Sequence, residues 1–154
     1  MIISDILKQD YIIADLKATD KTSALREVAQ FLEQRGAIQD HAQLLQALLE
    51  REQLGSTGIG DNMAIPHAKS GEIDQIITVF GRSQAGIEFD SLDRKPVHYL
   101  FLLLAPTTST GQHLKALAKI ARLFKSATLR EEILKAENSA SIYSLILEED
   151  SRSG

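Results

Sequence analysis

The chain has 154 residues, 44% of them apolar and 25% charged, with a formal net charge of −4. One folded domain over residues 1–154 is expected rather than disorder, and the acidic balance argues against a nucleic-acid surface. The absence of cysteine excludes disulfides, thiolate metal ligands and a cysteine nucleophile.

Neither end of the apolar scale points to a membrane. The N-terminus lacks the basic and apolar regions of a signal peptide. The longest apolar run, Tyr99 to Pro106, is too short to span a bilayer. A cytoplasmic protein follows as the expectation.

In chain order, Ser4 is placed to cap a short turn carrying Ile6 and Leu7, and Tyr11 to Ala14 reads as a short strand. Thr19 or Asp20 caps a helix whose Leu25, Val28, Ala29 and Leu32 share one face, and Gly36 stops it. Asp40 opens a second helix with Leu44, Ala47, Leu48 and Leu49 as its inward positions, closed by Glu50-Arg51-Glu52 and ended by Gly55.

A glycine-rich stretch, Gly55 to Ser70, reads as a loop with a short strand at Met63 to Ile65. Ile76 to Phe80 is a strand, and Gly86 to Phe89 an edge or a turn. Val97 to Leu104 is apolar on both alternate sets, as in a central strand covered on both faces, and Pro106 terminates it.

The polar loop Thr107 to Gly111 offers Ser109 and Gln112 as a capping box. The following helix turns Leu114, Leu117, Ala121 and Phe124 inward and Lys115, Lys119 and Arg122 outward. Ser126 or Thr128 starts another helix with Leu129 and Ile133. Asn138 or Ser139 starts the last, with Ile142, Leu145 and Ile146. The tail from Glu148 is expected to fray. Helices before and after the main strands predict an α/β fold, a mixed sheet with helices on both faces in a three-layer α/β/α arrangement.

Chemistry concentrates in the glycine stretch. It presents one imidazole, His67, behind Pro66, together with the Ser56 and Thr57 hydroxyls and exposed amides, a combination suited to phosphate. Gly58-Ile59-Gly60 follows a helix and is followed by Met63, so it is not a dinucleotide fingerprint, and no Gly-Lys-Ser/Thr is present for a Walker loop. Among the other histidines, His41 is expected to be solvated, and His98 to be a core residue or to face a site. His113 lies in the first turn of a helix, where free amides favour an anion. His67 and His113 could flank one phosphate. No metal site and no cofactor are implied.

The string Leu54-Gly-Ser-Thr-Gly-Ile-Gly-Asp-Asn-Met-Ala-Ile-Pro-His67 resembles the active-site segment of the fructose/mannitol-type IIA domains of the bacterial sugar phosphotransferase system. Leu102-Leu-Leu-Ala-Pro106, followed by Gly111-Gln-His113-Leu-Lys-Ala-Leu, resembles that family's second histidine region. The resemblance covers nearly the whole chain. It implies that His67 is phosphorylated and that His113 and Arg51 contact the phosphoryl group; Ser56 and Thr57 offer further donors. Two departures stand out: Asp61-Asn62 where a glycine is common, and Ala68 where a glycine often follows the histidine. Asp61 is expected to point away from a phosphate, and Ala68 to be tolerated if its φ is negative.

The resemblance also implies partners. The donor is an HPr-like histidine phosphocarrier, and a stand-alone IIA chain resembles the nitrogen-regulatory subfamily, which signals to regulatory targets. The alternatives are a IIA component passing phosphate to a separate IIB protein for sugar uptake, or an interaction domain without phosphotransfer. No nucleic acid or membrane insertion is implied. Leu54, Ile59 and Met63 are candidates for the donor-docking face, with Ile59 and Met63 turned inward as the other reading.

Overall fold

Two long strands, Ile77–Ile87 (β5) and Val97–Pro106 (β6), pair antiparallel at the centre of a six-stranded mixed sheet. The computed structural model describes residues 1–153. β1 (Ile12–Ile13) lies parallel to β5. On the other side of β6 run β3 (Met63–Ala64) and then β4 (His67–Ser70), both parallel to it. β2 (Gly58–Gly60) pairs antiparallel with β3 at the edge.

Every residue of β6 except His98 is buried, as a strand covered on both faces requires. One set of its side chains, Tyr99, Phe101 and Leu103, joins Phe80 beneath α3 (Gln112–Leu123), α4 (Ala127–Lys135) and α5 (Ser139–Ser153). Phe124 stacks there on Phe80 at 5.4 Å between centroids. The alternate set, Leu100, Leu102 and Leu104, packs with Val79 against α1 (Lys21–Gln34) and α2 (His41–Gln53). The three-layer arrangement is therefore the one expected, with a core on each face of the sheet.

The caps follow local chemistry. Asp20 Oδ1 accepts from Ser23 N, and Asp40 Oδ1 from Ala42 N and Gln43 N. Ser126 and Asn138 serve α4 and α5 in the same way. The first turn is a 3-10 turn over Ile3–Asp5 preceded by Ile2, so Ser4 lies inside it rather than capping it.

Several elements differ from expectation. The segment read from Ile76 to Phe80, from Ile77 onward, and the Gly86-Ile87 start of the one read from Gly86 to Phe89 belong to one strand, β5, which ends at Ile87 and has its register shifted between Arg82 and Ile87. Gly86 adopts φ +92 in that irregular part. The capping box at Ser109 and Gln112 does not form: Gly111 occupies the N-cap with no side-chain bond, and the Ser109 hydroxyl pairs instead with His113 Nδ1.

α3 is rolled relative to the expected stripe, burying Ala116, Ile120 and Leu123 while Leu114 stands in solvent. This helix is apolar over two arcs, and periodicity alone does not say which one meets the sheet. Lys119, expected outside, reaches Asp150 at 2.5 Å. Asp150 also accepts from Ile3 N at 2.7 Å, so the tail expected to fray from Glu148 is the ordered end of α5. Burial alone would raise the Asp150 carboxyl, but the Lys119 and Ile3 hydrogen bonds outweigh it and hold its pKa below the usual carboxylate value.

Candidate functional site

The glycine stretch is not a loop throughout. β2 and β3 form a hairpin whose two turn residues, Asp61 and Asn62, have φ of 56 and 62. Two consecutive left-handed residues are the mark of a type I′ turn, and Asp and Asn accept that conformation more readily than most side chains. The departure at Asp61-Asn62 is thus turn chemistry. Asp61 points toward Arg130, at 3.8 Å. Gly58 is required for close approach: a Cβ there would sit 2.0 Å from Ser91 Oγ.

After the hairpin, Ile65-Pro66 carries the chain to β4, which begins at His67. The imidazole is therefore set by a strand paired to β6, with His67 opposite Leu103. Ala68 lies within β4 and is absent from the residues of positive φ, so its methyl is accommodated.

His67 Nδ1 lies 2.9 Å from the Ile65 carbonyl oxygen. That oxygen can only accept, so Nδ1 carries the proton. The lone pair is left on Nε2, which accepts from Arg51 Nε at 3.3 Å. Arg51 projects from the last turn of α2, and its Nη1 donates to Gly55 O at 2.9 Å. A neutral imidazole is thus held with one nitrogen presented as a nucleophile and a guanidinium beside it.

A surface recess of about 500 Å³ opens over this pair, lined by His67, Arg51, Ala68, Lys69, His113 and Leu114 among others. α3 brings in His113, half-buried, one residue into the helix. His113 Nδ1 meets Ser109 Oγ at 3.2 Å. The first amides of α3, with no side-chain cap, add a partial positive charge. Leu54 and Leu114, 84% and 60% exposed, flank the opening.

His67, Arg51 and His113 are therefore brought together, whereas Ser56 and Thr57 lie off the recess. Ser56 Oγ donates to Phe89 O at 3.3 Å and accepts from Gly58 N at 3.1 Å. Thr57 is buried, and both its amide and its hydroxyl donate to Glu52. Glu52 also pairs with Lys21 at 3.0 Å. Residue types had suggested donors for phosphate; in the fold these donors close the elbow between α2 and β2. Met63, a candidate for the docking face, is buried, and Ile59 is exposed on β2 but does not line the recess.

The other two histidines have structural partners. His41, expected in solvent, is half-buried with Nδ1 2.9 Å from Glu33 Oε2. The His41 amide and ring bonds hold the Glu33 pKa below its ordinary value. His98 Nδ1 meets Ser83 O at 2.7 Å across the β5–β6 pair. Among the described residues, no group of three or more histidines, cysteines and carboxylates is placed to hold a metal ion. No helix among them is long and apolar enough to cross a membrane.

The site thus joins a strand-borne imidazole, an arginine on its free ring nitrogen and a second histidine across the opening. The chain belongs to the family described as "Phosphoenolpyruvate-dependent sugar phosphotransferase system, EIIA 2", whose sequence model matches residues 5–149. It is similar to a nitrogen regulatory protein of Bradyrhizobium diazoefficiens, 37% identical over 147 residues and covering 95% of each chain. It is also 32% identical over 150 residues to the fructose-specific EIIABC component of Bacillus subtilis. That alignment covers 97% of this chain and only 24% of the relative's length. The crystal structure of nitrogen regulatory protein IIA-Ntr from Neisseria meningitidis superposes with a TM-score of 0.85 at 33% identity, covering 94% of this chain and 98% of that one.

Proposed function

We propose that this chain is a cytoplasmic phosphocarrier that accepts a phosphoryl group on Nε2 of His67 from an HPr-like histidine phosphocarrier, and that it signals as a nitrogen-regulatory IIA protein. The observation that carries the reading is the pair of contacts on His67. The Ile65 carbonyl keeps the proton on Nδ1, and Arg51 sits against the free lone pair.

In the transfer, the Nε2 lone pair forms a new N–P bond while the donor's N–P bond breaks. That electron pair returns to the donor imidazole. Arg51 moves its N–H groups from Nε2 to the phosphoryl oxygens, for which its planar fork is suited. His113, from across the recess, supplies another donor. Phosphoryl transfer depends mainly on positioning and on such charge stabilisation. The exposed Leu54 and Leu114 give the donor an apolar rim to dock against.

The regulatory reading rests on the likeness to nitrogen regulatory proteins at 37% and 33% identity. A second reading, a IIA component feeding a separate IIB protein for sugar uptake, is favoured by the 32% identity to a fructose-specific relative. Both readings use the same chemistry at His67. Incubation with phosphorylated HPr homologues, followed by mapping of the acid-labile phosphate, tests it. Label is expected on His67 in the wild type and none in folded His67→Ala. Label retained at the wild-type rate in that variant removes the assignment.

A further inference from the structure

The reading above gives His113 a role as a donor but leaves open what makes it one. A neutral imidazole carries its proton on one nitrogen only, and the wrong tautomer would aim a lone pair at the phosphoryl oxygens. His67 has a carbonyl to decide this; His113 has none. Its Nδ1 faces a hydroxyl, Ser109 Oγ, at 3.2 Å. A hydroxyl can donate to Nδ1 of the neutral ring, which puts the proton on Nε2. It can also accept from Nδ1–H of the protonated ring, which keeps Nε2–H in place. In both of these states Nε2 is a donor; a neutral ring with its proton on Nδ1, donating to the same hydroxyl, is the state that would leave Nε2 a lone pair, and it is the one the measurement below detects.

The hydroxyl is held for this. Ser109 N donates to Pro106 O at 3.0 Å, closing the turn after β6. The Ser109 carbonyl accepts from Lys69 Nζ at 3.3 Å. Lys69 lies on β4, two residues beyond His67, so the serine is tied to the strand that carries the nucleophile. A serine this close to a helix start ordinarily caps it, yet Gly111 takes the N-cap and the hydroxyl is directed at His113.

We propose that Ser109 is a positioning residue for phosphoryl transfer, holding His113 with its Nε2–H toward the phosphoryl group. This rests on the phosphocarrier reading of the same site. The tautomer is read directly by two-bond proton–nitrogen NMR correlation on the full chain, well above the ordinary imidazole titration range, with His113→Asn used for assignment. The wild type is expected to show Nδ1 as a hydrogen-bonded acceptor and Nε2 as the protonated nitrogen.

Ser109→Ala is expected to shift the Nδ1 resonance toward that of an unbonded nitrogen. It should also slow transfer to His67 by roughly three- to tenfold, the effect of one neutral hydrogen bond, without changing the KM for the donor. Ser109→Thr, which keeps the hydroxyl, should restore both. An Nδ1–H tautomer in the wild type overturns the proposal whether or not the alanine variant folds well. So does an unchanged rate or an unchanged Nδ1 resonance in a folded Ser109→Ala. A wild-type chain that takes no label on His67 removes the phosphocarrier reading itself, an outcome distinct from a labelled chain with the wrong His113 tautomer.

Discussion

Arg51 and Glu52 are neighbours on the last turn of α2, and they face opposite environments. Glu52 turns inward, where Lys21 and the Thr57 amide and hydroxyl satisfy its carboxylate. Arg51 turns to the recess, where it holds one carbonyl and one ring nitrogen and keeps further N–H groups available. One side is a closed network, in which each partner is costly to remove because the others stay buried. The other is left open, as the phosphocarrier reading requires of a group that is to receive charge. Stability and chemistry are thus separated across a single helical turn.

Substitutions on either side test that separation. Arg51→Ala and His113→Ala should each slow phosphoryl transfer by about 10²–10³, as loss of one aligned donor typically does, with an unchanged melting curve. Rapid-quench transfer rates measure this, and wild-type rates in both would return Arg51 to a surface contact. Glu52→Ala should do the reverse. It strands Lys21 and the Thr57 donors, so unfolding in denaturant should show a loss of about 3 kcal/mol. The folded fraction should still take label on His67, at a rate within a few-fold of wild type.

Leu54→Asp and Leu114→Asp belong to the open side. Each should weaken donor binding by about tenfold, as for residues at the centre of a docking patch, with no change in thermal stability. An NMR titration with the donor reads this; undiminished binding in both would place the docking face elsewhere.

The smallest effect is expected at the second closed cluster, Asp150 with Lys119 and Ile3. Because the Asp150 pKa is lowered in the folded state, its contribution is present above its ordinary value of 3.8 and lost as the pH falls through the folded value. Asp150→Asn should therefore lose about 1 kcal/mol near neutral pH. Its deficit against wild type should shrink as the pH is lowered below that range. A deficit independent of pH would assign the loss to packing instead.

How much of this was legible in the sequence depends on how local the deciding interaction is. Asp20, Asp40 and Ser126 announce their helices because a cap and its amides lie within a few residues. β6 was readable because both alternate sets of side chains are apolar. The face of α3 was not, since the choice between two apolar arcs is made by the sheet. Likewise, nothing near Asp150 in the sequence names Ile3 or Lys119 as its partners. At the site, His67 and His113 were readable from the glycine stretch and from a helix start, Arg51 came from the resemblance, and the fold gathers them. Ser56 and Thr57 have the right chemistry for phosphate, but Glu52, hidden behind Arg51 in the reading of α2, claims the Thr57 donors. Only a signal linking residue 52 to residue 57 could have found that.

The placement of β4 has a consequence for the order in which the molecule assembles. β5 and β6 are joined by the short 88–96 connection, so their pairing closes a small loop and needs nothing from elsewhere in the chain. β4 instead docks parallel on β6 across the whole of β5, a non-local closure that is rewarded only after its template exists. The His67 side chain thus rides on a late addition to an early-formed hairpin. Native-state hydrogen exchange should register this as a gradient, with the β5 and β6 amides opening only on global unfolding and those of β4 opening at lower free energy. The His67 imidazole then sits on a segment that can give way locally while the sheet beneath it stays intact.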